Sequence, residues 1–224
     1  MTEYHCHILP GIDDGSKDAD MSLQMDEMMK SQGVDRIIAP PHFYAHREKS
    51  VSDFIEKRQK AYEKIKDSMS IKNVHLGAEI AIEQGVSEIK GIERLAIEGT
   101  RIILLELPYR PYAKWMSEEI YNISAEYNLK VMLAHVHRYL EYYSKDEIET
   151  ILSTKAIFQI NNEAFATWKE NKLAKRVISE YERFAFGSDA HNISSRKPNW
   201  DLLKKKVKPE SIAVSDGIFE RYSI

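Results

Sequence analysis

The sequence predicts an α/β fold whose parallel strands either close into a barrel or lie in an open, doubly wound sheet. Short β-branched or apolar runs recur at 36–39, 74–80, 101–107, 129–135, 156–160 and 183–186, after a short candidate strand at 2–7. Each is bounded by Gly, Pro, Asn or a charged residue, as strands are. Stretches of helical length separate them. Such alternation implies a parallel sheet with right-handed crossovers. Seven strands would suit a β/α barrel with one unit fewer than the common eight.

The elements follow in order. Met21, Met25, Met28 and Met29 share helical spacing and make an apolar stripe, with Gly33 as its stop. After the run at 36–39, Val51, Phe54, Ile55, Ala61, Tyr62 and Ile65 mark a second helical face. Beyond 74–80 and 101–107, Trp115, Ile120, Ile123 and Tyr127 mark a third. The runs at 129–135, 156–160 and 183–186 complete the strands. Lys204-Lys205-Lys206 reads as a solvated helix face. No repeat, low-complexity tract or Pro/Gly/Ser-rich linker divides the chain, which reads as one domain over 1–224.

Composition excludes several classes. The 224 residues are 43% hydrophobic and 30% charged, too apolar for a disordered chain. A net charge of -3 shows no basic excess for nucleic acid or an anionic membrane. The single cysteine, Cys6, excludes a disulfide scaffold and a Cys-based zinc ribbon. No basic and apolar leader opens the sequence, and no run reaches the roughly 20 apolar residues of a membrane span. The expectation is a cytoplasmic protein without membrane insertion.

The chemistry lies at the strand ends. His5 and His7 form His-x-His, and residues i and i+2 share one face of a strand. His42 follows Ala39-Pro40-Pro41, Glu79 lies late in 74–80, and Glu106 late in 101–107. His135 ends 129–135, and Asp189 and His191 follow 183–186. Six of the seven expected strands thus deliver a His, Asp or Glu at the same end, where α/β barrels gather their active sites. Glu106 sits inside Ile103-Leu104-Leu105-Glu106-Leu107, where an unpaired carboxylate would be costly to bury and a metal would compensate. Asp14, in Gly11-Ile12-Asp13-Asp14-Gly15, brings the set to five histidines and four carboxylates, enough for a multinuclear site. Mixed imidazole and carboxylate ligands suit Mn, Fe or Zn better than Ca. Three divalent ions would outweigh four carboxylates and attract a phosphate dianion. Arg138 and Arg196 stand just beyond the His135 and His191 motifs, where guanidinium groups could grip phosphoryl oxygens.

These residues resemble a known family. His5-Cys6-His7-Ile8-Leu9-Pro10-Gly11-Ile12-Asp13-Asp14-Gly15 is similar to the N-terminal signature of the capsule-associated, manganese-dependent protein-tyrosine phosphatases of CpsB/YwqE type, within the polymerase and histidinol phosphatase (PHP) superfamily. Ala39-Pro40-Pro41-His42, Gly77-Ala78-Glu79-Ile80, Leu105-Glu106-Leu107-Pro108 and Ser188-Asp189-Ala190-His191-Asn192 continue the likeness in order, across nearly the whole chain. The resemblance implies a distorted (β/α)7, TIM-like barrel and three divalent ions, Mn foremost with Fe or Zn as alternatives. It implies that His5, His7, Glu79 and Asp189 hold one ion, Glu79, Glu106 and His135 a second, and Asp14, His42 and His191 the third. Asp14 rather than Asp13 is matched through the following Gly15. Arg138 and Arg196 correspond to arginines near the substrate phosphate. One departure is His135-Val136-His137-Arg138, where the family has His-Pro-Glu-Arg, so His137 alters the surroundings of the ligand or the substrate rim.

The implied activity is hydrolysis of phosphotyrosine in protein by a metal-activated hydroxide, with no covalent phosphoenzyme. The implied partner is the tail of a bacterial tyrosine autokinase in capsule or exopolysaccharide synthesis. The alternatives are a small-molecule phosphomonoesterase such as a histidinol phosphatase, and a non-catalytic metal- or partner-binding module. His46 reads as surface or rim, His75 as a strand residue away from the site, and Cys6 as pointing away from its neighbours. Thiol-based phosphatase chemistry is not expected, because Cys-x5-Arg is absent: Ile12 stands where the Arg would be.

Overall fold

The computed structural model describes all 224 residues. Its elements, in chain order, begin with β1 (Thr2–Glu3), α1 (Ala19–Ser31), β2 (Arg36–Ala39), β3 (His42–Phe43) and α2 (Val51–Glu63). There follow β4 (Asn73–Leu76), β5 (Glu79–Ala81), β6 (Ile102–Glu106), α3 (Lys114–Glu126), β7 (Lys130–Leu133) and α4 (Lys145–Leu152). The chain continues with β8 (Ile157–Asn161), α5 (Trp168–Glu180), β9 (Phe184–Gly187), α6 (Trp200–Lys206), α7 (Pro209–Asp216) and α8 (Ile218–Arg221).

Every strand pairing is parallel. One sheet has the order β1-β2-β4 and the other β3-β5-β6-β7-β8-β9. Seven expected strands therefore appear as nine. Pro40 and Pro41 have no backbone N–H, so the run that begins at Arg36 cannot ladder through them and resumes at His42. Its neighbour breaks in register with it, at Gly77-Ala78. Gly77 N and Glu79 N still bond Ala39 O at 3.2 Å and Pro41 O at 3.0 Å across this seam. The strand expected over 2–7 shrinks to Thr2–Glu3 because the next residues turn to β9. Tyr4 N bonds Phe186 O, Asp189 N bonds His5 O, and His7 N bonds Ala190 O. Isolated bonds, rather than a continuous closed ladder, join the two sheets at both seams.

Strands buried on both faces need apolar residues at every position. Here the two faces feed two cores. Ile103, Leu105, Val131, Leu133, Phe158 and Ile160 face the helices, in a cluster that also takes Met25 and Met29 from α1 and Phe54 and Ala61 from α2. Ile102, Leu104, Met132, Ala134, Ile157 and Ala185 form a separate inner cluster, covered by Ile218 and Phe219 of α8. The inner face is thus apolar at the N-terminal ends of the strands. Continuing each strand by two residues brings Glu106, Gln159, Asn161 and Gly187 onto the same face at the C-terminal ends.

Helix ends are set locally. The side chains of Asp18, Ser50 and Ser144 accept N–H groups in the first turns of α1, α2 and α4, and Ser144 with Glu147 completes a capping box. No helix is long and apolar enough to cross a membrane.

Candidate metal centre

All nine side chains expected at the strand ends converge in one place. Glu79 sits at the middle, only 1% exposed. Its Oε2 lies 3.1 Å from His5 Nε2, 3.2 Å from His7 Nε2 and 3.0 Å from His42 Nδ1. Its Oε1 lies 3.0 Å from His135 Nε2, which is also 3.4 Å from Glu106 Oε1. Asp189 Oδ1 is 3.6 Å from His5 Nε2, 3.4 Å from His7 Nε2 and 3.5 Å from His191 Nδ1. Asp14 Oδ1 faces His42 Nε2 at 3.4 Å and His191 Nε2 at 3.5 Å. Three clusters of possible ligand atoms lie within 4.8 Å: His7, Asp14, His42 and His191; His5, His7 and Asp189; His42, Glu79 and Glu106. His7 and His42 each belong to two of them.

The backbone at this rim is bent to aim side chains. His135 continues the helix-facing row of Leu133, yet its φ of 29° swings the ring inward to Glu79. Asp189, with φ 50°, also adopts a left-handed backbone. For residues other than glycine such conformations cost about 1–3 kcal/mol each and persist where the surroundings enforce them, often at functional sites. Gly187 permits a close approach: a Cβ there would fall 2.8 Å from His5 N and 2.9 Å from Glu3 Oε1. Buried Glu3 uses that space. It accepts from His5 N at 3.0 Å, Ser188 N at 2.8 Å and Trp200 Nε1 at 2.7 Å, tying the first strand to the Asp189 loop.

The donor set fits divalent cations. His191 Nε2 and His42 Nδ1 are buried and make no hydrogen bond. His5 Nε2 and His7 Nε2 point at one another across 3.2 Å, an arrangement two lone pairs tolerate only with a cation or a proton between them. The charges agree. Burial opposes ionisation of Glu79, but the imidazoles of His5, His135 and His42 around it hold its carboxyl well below the usual range. Burial would likewise lower His135, but hydrogen bonds to Glu106 and Glu79 hold it up at about 9. Imidazoles gathered around buried carboxylates are sites where protons and metal ions compete.

The other faces of the rings are fixed. His7 Nδ1 donates to Asp13 Oδ2 at 2.7 Å, and His191 Nδ1 to Asp189 O at 2.9 Å. Arg138 and Arg196 meet at the opposite oxygen of Asp189, with Nη1 and Nη2 at 2.6 and 2.8 Å from Oδ2. Arg138 Nη2 also reaches Glu163 at 2.8 Å. Both arginines line a cleft of about 650 Å³ together with Asp14, His42, Glu79, Glu106, His135 and Asp189. His46 stands at its rim, paired with Glu83 at 2.7 Å. His75 packs on Phe219 below the inner core, and Cys6 Sγ turns to Ile38 O. His137 is buried, and neither ring nitrogen makes a hydrogen bond.

The sequence reading missed several polar residues here. Gln159, Asn161 and Glu163 lie on β8, the one of the seven expected strands that supplies no candidate ligand, and on the turn after it. Their signal was a polar run after an apolar strand, Gln159 and Asn161 about Ile160 and then Asn162-Glu163. Tyr109 was also missed; its ring lies over His135 with centroids 6.0 Å apart.

The sequence and the fold have counterparts. The Bacillus subtilis protein named tyrosine-protein phosphatase YwqE is 29% identical over 205 residues, covering 88% of this chain and 79% of that protein. The Streptococcus pneumoniae protein named tyrosine-protein phosphatase CpsB is 26% identical over 226 residues, covering 92% and 90%. A chain from crystal structures of those two proteins, described as unique metal-dependent tyrosine phosphatases, superposes with a TM-score of 0.77 at 24% identity. That match covers 100% of this chain and 96% of the other, and shows a shared fold. A family model described as capsular polysaccharide synthesis, CpsB/CapC, matches residues 1–212, and the chain belongs to that family.

Proposed function

We propose that this protein is a metal-dependent protein-tyrosine phosphatase, one unit over 1–224 built as a distorted (β/α)7 barrel. The observation that carries the reading is the convergence of five imidazoles and four carboxylates, with orphaned buried nitrogens, beside two arginines in an open cleft. The names of the relatives support phosphotyrosine as the substrate class. His5, His7, Glu79 and Asp189 would hold one divalent ion, Glu79, Glu106 and His135 a second, and Asp14, His42 and His191 a third. Manganese is the first candidate, and iron and zinc suit the same donors.

Bound divalent ions would supply an activated water and neutralise charge on the phosphoryl group. The chain's own residues do the rest. Arg138 and Arg196 would bind the outer phosphoryl oxygens, held in orientation by Asp189. Asp13 holds the His7 ring through Nδ1 and so aims Nε2 at the centre. The tyrosinate leaving group has a parent pKa near 10, so its departure needs little proton delivery. The cleft is open to solvent, which suits a tyrosine presented on a protein tail. The partner we infer is the tail of a tyrosine autokinase in capsule or exopolysaccharide synthesis, met in the cytoplasm.

The test is phosphate release from a phosphotyrosine peptide and from histidinol phosphate, with manganese-reconstituted protein and a chelated control. Manganese-dependent turnover that prefers the peptide is the expected result. Preference for the small ester would move the protein to metabolite hydrolysis, and no turnover of either with metal bound would overturn the phosphatase reading.

A further inference from the structure

β8 carries a buried amide relay. Gln159 and Asn161 lie on one face of β8 and are fully buried. Gln159 Oε1 lies 2.6 Å from His135 N and 3.2 Å from His5 Nδ1. Gln159 Nε2 lies 2.9 Å from Asn161 Oδ1, and Asn161 Nδ2 lies 2.8 Å from Glu163 Oε1 and 3.3 Å from Asp189 Oδ2.

The direction of this relay follows from its two ends. At one end an ionised carboxylate only accepts, so Asn161 must turn its NH2 toward Glu163 and Asp189. Its oxygen then faces Gln159, which must donate from Nε2. At the other end a backbone N–H only donates, so His135 N requires an oxygen on Gln159. The two requirements were independent, and both place Oε1 of Gln159 against His5. His5 must therefore donate from Nδ1. In the neutral ring this leaves the Nε2 lone pair facing Glu79 Oε2 at 3.1 Å and His7 Nε2 at 3.2 Å.

We propose that Gln159 is a positioning residue for the metal centre: one amide oxygen sets the tautomer of His5 and holds the left-handed backbone bend that turns His135 inward. Asn161 fixes which way that amide points. A neutral acceptor suits this place, because a carboxylate on Gln159 would face the oxygen of Asn161. The inference rests on the reading of His5 and His135 as metal ligands. Loss of groups that orient ligands typically costs 10–100-fold in metal affinity.

Two measurements test it. Manganese is titrated calorimetrically into metal-stripped wild type and into Gln159→Met, which keeps the volume and removes the acceptor, with folding of each checked by circular dichroism. The expected result is a 10–100-fold weaker affinity in the variant. Equal affinities would overturn the role of Gln159 alone, whereas a wild type that takes up no manganese would overturn the metal reading and this inference with it. The second measurement needs no variant. In zinc-loaded wild type with 15N-labelled histidine, two-bond 1H–15N correlations should show His5 protonated at Nδ1. Protonation at Nε2 would overturn the proposal even if Gln159→Met failed to fold.

Discussion

His7 and Asp13 lie 2.7 Å apart, Nδ1 to Oδ2, and this pair gives the adjacent aspartates different environments. Asp13 also accepts Gly15 N at 3.0 Å and His42 N at 3.1 Å. Burial alone would raise its pKa, but the bond to His7 and the His7 charge bring it down to about 2. Asp14 is 66% exposed and turns toward His42 and His191 instead. Asp13→Asn should therefore keep the full metal complement while lowering affinity roughly 10–100-fold. Asp14→Asn should release about one equivalent of metal, as expected on losing a ligand. Metal content of the two purified variants separates these outcomes, and loss of an equivalent from Asp13→Asn alone would exchange the roles.

Gly187→Ala should destabilise the fold. The new methyl would meet His5 N at 2.8 Å and His5 Cβ at 2.9 Å, so backbone rather than a flexible side-chain end must move. Overpacking of this kind typically costs about 1–3 kcal/mol. Denaturant unfolding of metal-stripped protein should show that loss, and the displaced His5 should also weaken manganese binding. A variant as stable as wild type would mean that the first strand and β9 can separate without cost.

The strand ends were legible because a polar residue inside an apolar run has few uses. Glu106 after Ile103-Leu104-Leu105 and His135 after Met132-Leu133-Ala134 stood out for that reason. Two kinds of feature were not legible. The seams at Pro40-Pro41 and Gly77-Ala78 depend on which strands are neighbours, and that choice is tertiary. Simple alternation would have turned His135 toward the helices; only its φ of 29° reverses that, and no local residue preference signals it. Gln159 and Asn161 escaped notice because a neutral amide in a strand has many roles. Their alignment with His5 and Asp189 exists only once β8 lies beside β9.

Chelation and thiol modification should have opposite consequences. Cys6 is fully buried, its sulfur directed at Ile38 O, and burial pushes its thiol well above the usual range. It will not form the thiolate that reacts with alkylating reagents. Iodoacetamide applied to the folded protein should leave phosphatase activity unchanged, and a chelator should abolish it until manganese is restored. Rapid inactivation by iodoacetamide, with the adduct mapped to Cys6 and the metal complement retained, would contradict the metal mechanism.

Arg138 and Arg196 should not contribute equally. Arg138 is held at both ends of its guanidinium, by Asp189 at 2.6 Å and Glu163 at 2.8 Å, and only 29% of its side chain is exposed. Arg196 is 39% exposed, with one short contact to Asp189 at 2.8 Å and a longer one to Asp14 at 3.9 Å. A guanidinium already fixed in place loses less side-chain freedom when phosphate binds. Hydrogen bonds to charged groups contribute about 1.5–3 kcal/mol, which corresponds to roughly a 10- to 100-fold change in binding. Arg138→Ala should therefore raise KM for a phosphotyrosine peptide toward the upper end of that range, and Arg196→Ala toward the lower. Glu163→Gln should reproduce part of the Arg138→Ala effect, because it frees the guanidinium without removing it. Steady-state kinetics on the three variants checks the order. An Arg196→Ala defect larger than that of Arg138→Ala would show that orientation by Asp189 and Glu163 matters less than access to the cleft.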